Sequence, residues 1–309
     1  MEELVIETHS LTKRYGPVLA VSELSMQVPR GGVFGLLGPN GSGKTTTMGM
    51  LLGLVQPTGG TFRLFGHEGT NPDALRRIGA VVETPSFYPY LSGQANLRYF
   101  QGISRGGSPK DVDRLLGLVG LSERASSKFV TYSQGMKQRL GIAYALLGDP
   151  ELVFLDEPTN GLDPAGMAEV RDLIRELAAT GHTVLLSSHL LHEVEQVCER
   201  VAILARGHLI AQGKVQDLLR RQGVVRLKTT NDEGATSVLS TLAWVDKVRA
   251  EGGYLVATAP PERAWELTKA LAQQDVYVKE MVPVQVSLEE YFMEVTGGSM
   301  TGNRQEASR

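Results

Sequence analysis

A glycine-rich run suited to binding phosphate occupies residues 38 to 45, with the sequence Gly-Pro-Asn-Gly-Ser-Gly-Lys-Thr. It fits the pattern G-x-x-x-x-G-K-[ST], in which backbone N–H groups turn inward around phosphate oxygens. Lys44 would add positive charge toward the β- and γ-phosphates, and the Thr45 hydroxyl can ligate Mg²⁺. The residues expected to bind phosphate are Gly38, Pro39, Asn40, Gly41, Ser42, Gly43, Lys44, Thr45 and Thr46.

Two acidic residues follow a second apolar run, Leu152–Leu155. Ligands of open α/β sheets bind at the carboxyl ends of the strands, where Asp156 and Glu157 would lie. Asp156 can hold Mg²⁺, and Glu157 can polarise the water that attacks the γ-phosphate. The alternative is that both acids are solvated charges at a strand end.

These residues need a sheet that brings strand ends together. Apolar runs predict strands, and apolar residues at helical spacing predict helices. Their alternation indicates a three-layer α/β domain with a largely parallel sheet. The expected strands are residues 4–8, 18–28, 32–37, 152–155, 183–187 and 201–204; the expected helices are residues 164–179 and 190–200, with a mostly helical stretch from Gly93 to Gly148.

The composition shifts near Gly223, where a second, smaller α+β domain is expected. Its predicted order βαββαβ is the ferredoxin-like arrangement. The predicted strands are 224–228, 245–250, 254–258 and 276–282, and the helices are 235–243, 262–273 and 287–296. The expected domains are therefore 3–222, with a helical subdomain at about 86–148, and 223–296, followed by a flexible tail at 297–309.

The composition is that of a globular protein, with 309 residues, 42% hydrophobic and 21% charged residues. The net charge of -3 argues against a broad basic face for nucleic acid. The single cysteine, Cys198, lies among the regularly spaced apolar residues Val194, Val197 and Val201. It is therefore expected to be a small buried hydrophobic residue. The N-terminus lacks the features of a secretory signal, and no apolar stretch is long enough for a membrane helix. We therefore expect a soluble protein, or one attached to a membrane through a partner.

Three further motifs carry a family resemblance. Tyr-Ser-Gln-Gly-Met-Lys-Gln-Arg occupies 132–139, Leu-Asp-Glu-Pro-Thr-Asn-Gly-Leu-Asp occupies 155–163, and His189 follows a predicted strand. With the phosphate loop and in this order, they resemble the ATP-binding subunit of an ABC transporter over about residues 3–220. The resemblance implies a P-loop NTPase fold of the ABC type, with a parallel sheet core, a small antiparallel β subdomain and a helical subdomain. It also implies an ATPase that drives a separate membrane permease.

The segment around Ser133 resembles the signature motif of the family, usually Leu-Ser-Gly-Gly-Gln. Tyr132 replaces the leucine, Gln134 the first glycine and Met136 the glutamine, while Ser133 and Gly135 remain. In the family this helix N-terminus faces the phosphate loop of another subunit, so the resemblance implies a nucleotide-sandwich dimer. The partner would be a second copy or a sister subunit. The alternative for Ser133 is an ordinary helix cap.

The resemblance also assigns roles to three single residues. Tyr15 matches the aromatic residue that stacks on adenine, although a tyrosine in a turn is more often a packing residue. His189 matches the histidine that contacts the γ-phosphate and helps hold Glu157 and the water in line. Its alternative is a satisfied histidine at a strand end. Asp163 matches the loop that communicates across the dimer, and it can also cap the helix that starts at Pro164.

Glu83 stands where the family usually has glutamine, a residue that touches Mg²⁺ and the attacking water. Glutamate can still bind Mg²⁺ but adds negative charge near the γ-phosphate. We therefore expect Glu83 to be a metal and catalytic residue that tunes hydrolysis. The alternative is a surface acid.

Glu83, the run from Tyr132 to Ala143 and the C-terminal extension together resemble bacterial exporters of the antibiotic-resistance and immunity type. Bacitracin and daunorubicin export systems are nearest in pattern. The cargo would be a drug, a peptide antibiotic or a lipid-like molecule, and the chain would lie at the cytoplasmic face of the membrane. Residues 87–92, Phe-Tyr-Pro-Tyr-Leu-Ser, would dock the permease or form a satellite core. Trp244 and Trp265 are expected to be core anchors. An importer subunit, a non-transport ABC ATPase and a kinase-like phosphate-loop enzyme are the alternatives.

Overall fold

The chain divides into two compact units between Gln212 and Gly213. A computed structural model describes residues 3–83, 85–104, 109–220, 223–284 and 287–296. The sequence places the domain boundary after residue 222, whereas the structure assigns the segment that follows Gln212 to the second unit. The expected tail at 297–309 lies outside the described residues.

The first unit is built from strands and helices that alternate along the chain. Its strands are β1 (Leu4–Tyr15), β2 (Val18–Leu24), β3 (Gln27–Pro29), β4 (Gly32–Leu37), β5 (Gly59–Leu64), β6 (His67–Glu68), β7 (Ile78–Val81), β8 (Leu152–Asp156), β9 (Thr183–Ser188), β10 (Arg200–Ala205) and β11 (His208–Lys214). Its helices are α1 (Lys44–Leu51), α2 (Pro72–Arg76), α3 (Gly93–Ser104), α4 (Pro109–Leu118), α5 (Gln134–Ala145), α6 (Pro164–Ala179) and α7 (Leu191–Val197).

The central sheet has six strands in the order β11-β10-β4-β9-β8-β7. The pairs from β10 to β7 are parallel, and the middle strands β8 and β9 are buried at every residue. Burial on both faces explains their unbroken apolar runs, which made these strands predictable. The sequence did not indicate β7, which contains Gly79. A Cβ there would lie 1.9 Å from the Ala145 carbonyl oxygen, so a close approach of α5 requires glycine.

A second sheet in this unit is antiparallel, in the order β2-β1-β5-β6 with β3 also paired to β1. β1 runs to Tyr15, well beyond the predicted end at residue 8, because it pairs with three other strands. Its register shifts between His9 and Thr12, and Ser10 has a φ of 47°. This bulge interrupts the alternation of buried and exposed residues and hides the second half of the strand from sequence reasoning.

The core of the first unit lies between the two sheets. Ile6 of β1, Leu36 of β4, Met48 of α1 and Phe154 of β8 belong to one buried cluster. Helix α1, which starts at the phosphate loop, is therefore packed between the antiparallel sheet and the parallel sheet. The predicted helical stretch from 93 to 148 contains α3, α4 and α5, which contact one another.

The second unit contains α8 (Val215–Arg220), β12 (Val224–Thr229), α9 (Asp232–Leu239), β13 (Lys247–Glu251), β14 (Tyr254–Thr258), α10 (Ala264–Ala272), β15 (Val278–Val284) and α11 (Leu288–Val295). The sheet order is β13-β14-β12-β15, and all its pairs are antiparallel. This order confirms the ferredoxin-like prediction.

The two tryptophans of the second unit differ in environment. Trp244 packs against the core cluster, and the Arg263 guanidinium carbon lies 4.1 Å from the centre of its ring. Trp265 is 61% exposed, so its prediction as a core anchor is wrong. The buried face of α10 is formed by Ala264, Leu267 and Leu271, and Trp265 follows Ala264 on another side of the helix.

Two other expectations concern the whole chain. Cys198 is buried, and burial raises the pKa of its thiol, as expected for a small core residue. Among the helices that the structure describes, none combines the length and the apolar character needed to cross a membrane.

An ion-pair cluster joins segments that flank both sheets of the first unit. Glu151, just before β8, accepts hydrogen bonds from Arg77 at 2.5 and 2.8 Å and from Arg30. Arg30 also pairs with Glu3 at 2.8 Å, and the Arg77 guanidinium lies 3.8 Å from the centre of the Phe65 ring. Hydrogen bonds from Arg77 and Arg30 lower the pKa of Glu151 from 4.5 to about 2.

We predict that Glu151→Gln lowers the free energy of unfolding at pH 7 by about 1 kcal/mol, a value reduced by solvent screening of this partly exposed carboxylate. Because the folded-state pKa lies below the unfolded value, the stabilisation is fully present above pH 4.5 and is lost as the pH falls toward 2. Urea unfolding from pH 7 to pH 3 measures the difference, which should shrink on acidification. Asp73→Asn removes an exposed pair with Arg76 and is the matched control. An equal loss in both variants, constant with pH, would contradict the prediction.

Candidate functional site

The glycine-rich loop connects β4 to α1 at the edge of the parallel sheet where the strands end. Gly38 has a φ of 151°, and a Cβ there would lie 2.2 Å from the Leu204 carbonyl oxygen. Gly43 has a φ of 103°, and its Cβ would lie 2.5 Å from the Ala20 carbonyl oxygen. Both positions therefore require glycine, which explains the spacing seen in the sequence. A Cβ on Gly41 would meet no atom within 4 Å, so the loop borders open space there.

Lys44 is the first residue of α1 and is 5% exposed. Its Nζ donates hydrogen bonds to the carbonyl oxygens of Gly38 at 2.8 Å and Pro39 at 3.3 Å. The same Nζ lies 3.3 Å from Oε1 of Glu157. A buried ammonium group therefore lies between the loop and Glu157, the acid that follows β8, where it can also meet an anionic phosphate.

Thr45 and Asp156 come together as the sequence predicts. The Thr45 hydroxyl donates to Oδ2 of Asp156 at 2.9 Å. Mg²⁺ is usually held by one or two protein oxygens, with phosphates and water filling its other positions, and this donor pair fits that requirement. Within the described ranges, no group of three or more His, Cys, Asp and Glu side chains could form an all-protein metal cage.

Glu157 and His189 are also in contact. His189 Nδ1 lies 2.8 Å from Oε2 of Glu157, and the His189 N–H donates to the same oxygen at 3.4 Å. Glu157 has a φ of 48°, an uncommon backbone conformation for a side chain of this type. The carboxylate is thus held between the imidazole on one oxygen and Lys44 on the other. A carboxylate held on both oxygens has a fixed direction, which general-base chemistry requires.

Ser187 completes this cluster, and sequence reasoning missed it. Its buried hydroxyl donates to Oδ1 of Asp156 and accepts from the Glu157 N–H at 2.9 Å. Asp156 and Ser187 are partners in the parallel register of β8 and β9. The sequence signal that could have found Ser187 is its position at the end of an apolar run, two residues before His189.

Ser133 and Asp163 both cap helices. Ser133 accepts from the Met136 N–H at 3.3 Å at the start of α5, and Asp163 accepts from the Gly166 N–H at 3.2 Å at the start of α6. Both residues are exposed, so each cap remains accessible from outside the chain. Gly135 faces α6, because a Cβ there would lie 4.0 Å from the Gly166 Cα. This geometry allows Ser133 and Asp163 to act as ordinary helix caps and also to contact a second subunit.

Tyr15 and Glu83 are both exposed and lie at or just after the end of a strand. Tyr15 ends β1 and is 48% exposed, with Lys13 Nζ 4.8 Å from the centre of its ring. It is thus not a core packing residue. Glu83 follows β7 at the same edge of the sheet as Asp156, and its φ is 63°. Its side chain is exposed.

Comparisons with known proteins agree with this geometry. The family model described as ABC transporter matches residues 21–160. The bacitracin transport ATP-binding protein BcrA of Enterococcus faecalis is 36% identical over 96% of this chain and 97% of its own length. The chain belongs to the ABC transporter family. The linearmycin resistance ATP-binding protein LnrL of Bacillus subtilis (strain 168) is 33% identical over 96% of this chain and 99% of its own length.

A solved ATP-binding subunit of an ABC transporter is 32% identical and superimposes with a TM-score of 0.62 over 70% of this chain and 92% of that chain. The predicted fold class is confirmed. This ABC subunit binds nucleotide, hydrolyses ATP and energises a separate membrane permease.

The aromatic segment 87–92 of this ABC subunit divides between interior and surface. The Phe87 ring lies 5.7 Å from that of Phe100 and 5.2 Å from that of Phe129, both in edge-to-face contact. Tyr90 is 66% exposed, and Tyr99, which contacts Tyr88, is 46% exposed. Phe87 therefore belongs to a small secondary cluster of packed rings, which was the alternative to permease docking. Tyr90 contributes instead to an exposed aromatic surface.

We predict that Ser187→Ala lowers kcat for ATP hydrolysis about tenfold. Without the hydroxyl, the Asp156 carboxylate and the Glu157 backbone lose the hydrogen bonds that orient them. The free energy of unfolding should also fall by about 1 kcal/mol, since the partly buried Glu157 N–H loses its acceptor. Steady-state ATPase assays and urea unfolding measure the two effects.

Thr183→Val is the matched control, because Thr183 is buried at the other end of β9 and accepts from the Gly31 N–H at 2.8 Å. This control should lower stability and leave kcat unchanged. A wild-type kcat in Ser187→Ala would show that Ser187 does not orient the two acids.

Proposed function

We propose that this ABC ATPase energises the export of an antibiotic, a drug or a lipid-like molecule through its permease. The observation that carries the site assignment is one continuous set of contacts through Lys44, Glu157 and His189, next to the Thr45–Asp156 pair. The names of the relatives, one a bacitracin transport protein and one a linearmycin resistance protein, support the class of cargo.

In the proposed mechanism, the loop Gly38–Thr46 and Lys44 bind the phosphates of ATP. Mg²⁺, held by Thr45 and Asp156, would neutralise charge on the β- and γ-phosphates. Glu157 accepts the proton of the attacking water, and His189 holds Glu157 in direction and contacts the γ-phosphate. Lys44 and the backbone N–H groups of the loop, together with the metal ion, would balance negative charge as the γ-phosphate separates. This electrostatic stabilisation is the largest catalytic contribution expected at such a site.

The proposed active form is a dimer in which two ATP molecules lie between two ATPase subunits. Ser133 caps α5 and is exposed, and Gly135 lies in the first turn of this helix. A helix N-terminus can bind an anion through its free N–H groups. The N-terminus of α5 would meet the γ-phosphate bound to the partner's loop, and Asp163 would communicate across the interface. Tyr15 would stack on adenine with its exposed ring.

The proposed location is the cytoplasmic face of the membrane, reached through the permease. Tyr90 and Tyr99 form an exposed aromatic surface that suits a protein interface. The C-terminal unit is proposed to be an accessory domain of this export system. No contact with nucleic acid is expected.

We predict that Glu157→Gln retains ATP binding, abolishes turnover and accumulates a stable dimer in ATP and Mg²⁺. The amide cannot accept the proton from water but keeps the size of the side chain. Gel filtration and phosphate release measure both properties. Lys44→Ala is the comparison, because it should lose nucleotide binding or hydrolysis without trapping a dimer.

The same variant tests the cargo. A strain carrying the gene and its permease should resist a peptide or lipid-like antibiotic more than the strain without it, and Glu157→Gln should abolish the difference. The permease should co-purify from membranes with the ATPase. Wild-type turnover in Glu157→Gln would remove Glu157 from the base role, whereas unchanged sensitivity with normal turnover would argue against export of these compounds.

Glu83 gives a separate prediction, because it is proposed to touch Mg²⁺ and the attacking water. Glu83→Gln should change the ATPase rate and its pH profile, because the amide adds no negative charge near the γ-phosphate. Hydrolysis measured from pH 5 to pH 9 tests this, with Glu68→Gln as a control for loss of a surface acid elsewhere in the first unit. Identical rates and profiles in wild type and Glu83→Gln would support the surface-acid alternative.

A further inference from the structure

A shielded ion pair joins the helices that follow the two catalytic segments. Nη1 of Arg171 on α6 lies 2.9 Å from Oε1 and 2.8 Å from Oε2 of Glu193 on α7. Their side chains are 18% and 15% exposed. The neighbouring pair on α6, Arg175–Asp172, is 46% and 73% exposed, so the Arg171–Glu193 pair is distinctly more shielded. A pair removed from water contributes little net stability but responds strongly to the loss of one partner.

The pair lies beside the backbone turns that carry Glu157 and His189. One small cleft is lined by Pro158 and Thr159, which follow Glu157, by Ser188, which precedes His189, and by Arg171 and Glu193 themselves. Any shift of the pair therefore acts on the residues next to both proposed catalytic groups. Glu157 follows β8 and His189 follows β9. The next helices along the chain are α6 after Glu157 and α7 after His189.

Helix α7 begins two residues after His189, at Leu191. It has only seven residues, and Leu190 at its N-terminus provides no side-chain cap. Leu191 and Val194 are buried and hold the helix against the core, but apolar contacts tolerate small rotations and slides. Another polar contact, from Arg175 to the Gln196 carbonyl oxygen at 2.9 Å, is exposed and lies at the far end of the helix. The Leu190 N–H donates to Ser188 Oγ at 3.0 Å, which is a local contact within the turn around His189. Glu193, four residues after His189, makes a shielded side-chain contact between α7 and α6.

We propose that Arg171 and Glu193 are a positioning pair that holds His189 at hydrogen-bond distance from Glu157 and thereby sets kcat for ATP hydrolysis. The inference rests on the proposed roles of Glu157 and His189. The His189–Glu157 contact is 2.8 Å long, and a displacement of about 1 Å would break it. Nucleotide affinity depends on the loop at Gly38–Thr46, which the pair does not contact in the described structure.

The test is Glu193→Gln in the full-length chain, which removes the charge and keeps the size of the side chain. We expect kcat to fall about tenfold while KM for ATP changes less than about twofold, because geometry is lost and binding is kept. Asp172→Asn, which breaks the exposed pair on the same helix, is the matched control and should leave both constants unchanged. Thermal unfolding and nucleotide binding identify the folded fraction of each variant, to which kcat is normalised.

A second comparison shows whether the effect passes through His189. Single-turnover phosphate release is measured for wild type, Glu193→Gln, His189→Ala and the double variant. If Glu193 acts through His189, the double variant should be no slower than His189→Ala. If the fold-losses in rate of Glu193→Gln and His189→Ala multiply in the double variant, the two residues act independently. That result would overturn the positioning role of Glu193 while the role of His189 stands. A raised KM with unchanged kcat, or wild-type kinetics in Glu193→Gln, would also overturn it. Wild-type turnover in His189→Ala would instead refute the proposed role of His189, and the inference with it.

Discussion

The parallel register of β4, β9 and β8 is the constraint on which the site depends. Leu37 pairs with Ser188 and Asp156 pairs with Ser187, so three neighbouring strands end at the same level of the sheet. The phosphate loop follows the first strand, His189 the second and Glu157 the third. A one-residue slip would exchange the side chains packed on the two faces of the sheet, and a close-packed core resists such an exchange. The packing of these strands therefore fixes the site geometry.

The charged groups at this edge of the parallel sheet each lie within hydrogen-bond or ion-pair distance of a partner. Lys44 is nearly inaccessible to solvent, and a buried ammonium group without partners would be strongly unfavourable. Two loop carbonyls and Glu157 provide those partners, and Ser187 in turn orients Asp156 and the backbone of Glu157. Lys44, Asp156 and Glu157 are thus each held by a hydrogen bond or an ion pair to a neighbouring group of the site. Such preorganisation is what stabilises developing charge in a transition state without rearrangement of the site.

The sequence indicated the groups that we propose to react but not all the groups that hold them in place. Gly38, Lys44 and Asp156 were predictable because loop geometry and buried strands leave strong local patterns. Ser187 was missed because its role depends on which strand lies beside β8, and strand order is not a local property. β7 and β1 were missed or shortened for similar reasons, since Gly79 and the bulge at Ser10 interrupt the expected alternation. Trp265 was misplaced because its size suggested burial, whereas the buried face of α10 is formed by other residues.

The departure from the family signature at Tyr132 is compensated within the helical region. Tyr132 is buried, and its hydroxyl donates to the Arg124 carbonyl oxygen at 2.8 Å. Burial raises the pKa of this phenol, so it remains a neutral donor. The ring occupies space that a side chain at position 93 would otherwise fill, since a Cβ on Gly93 would lie 2.2 Å from the hydroxyl oxygen. Tyrosine therefore replaces the packing of a leucine and adds a directional contact. The hydrogen bond of Tyr132 anchors the residue just before α5, while Ser133, the cap of this helix, remains exposed.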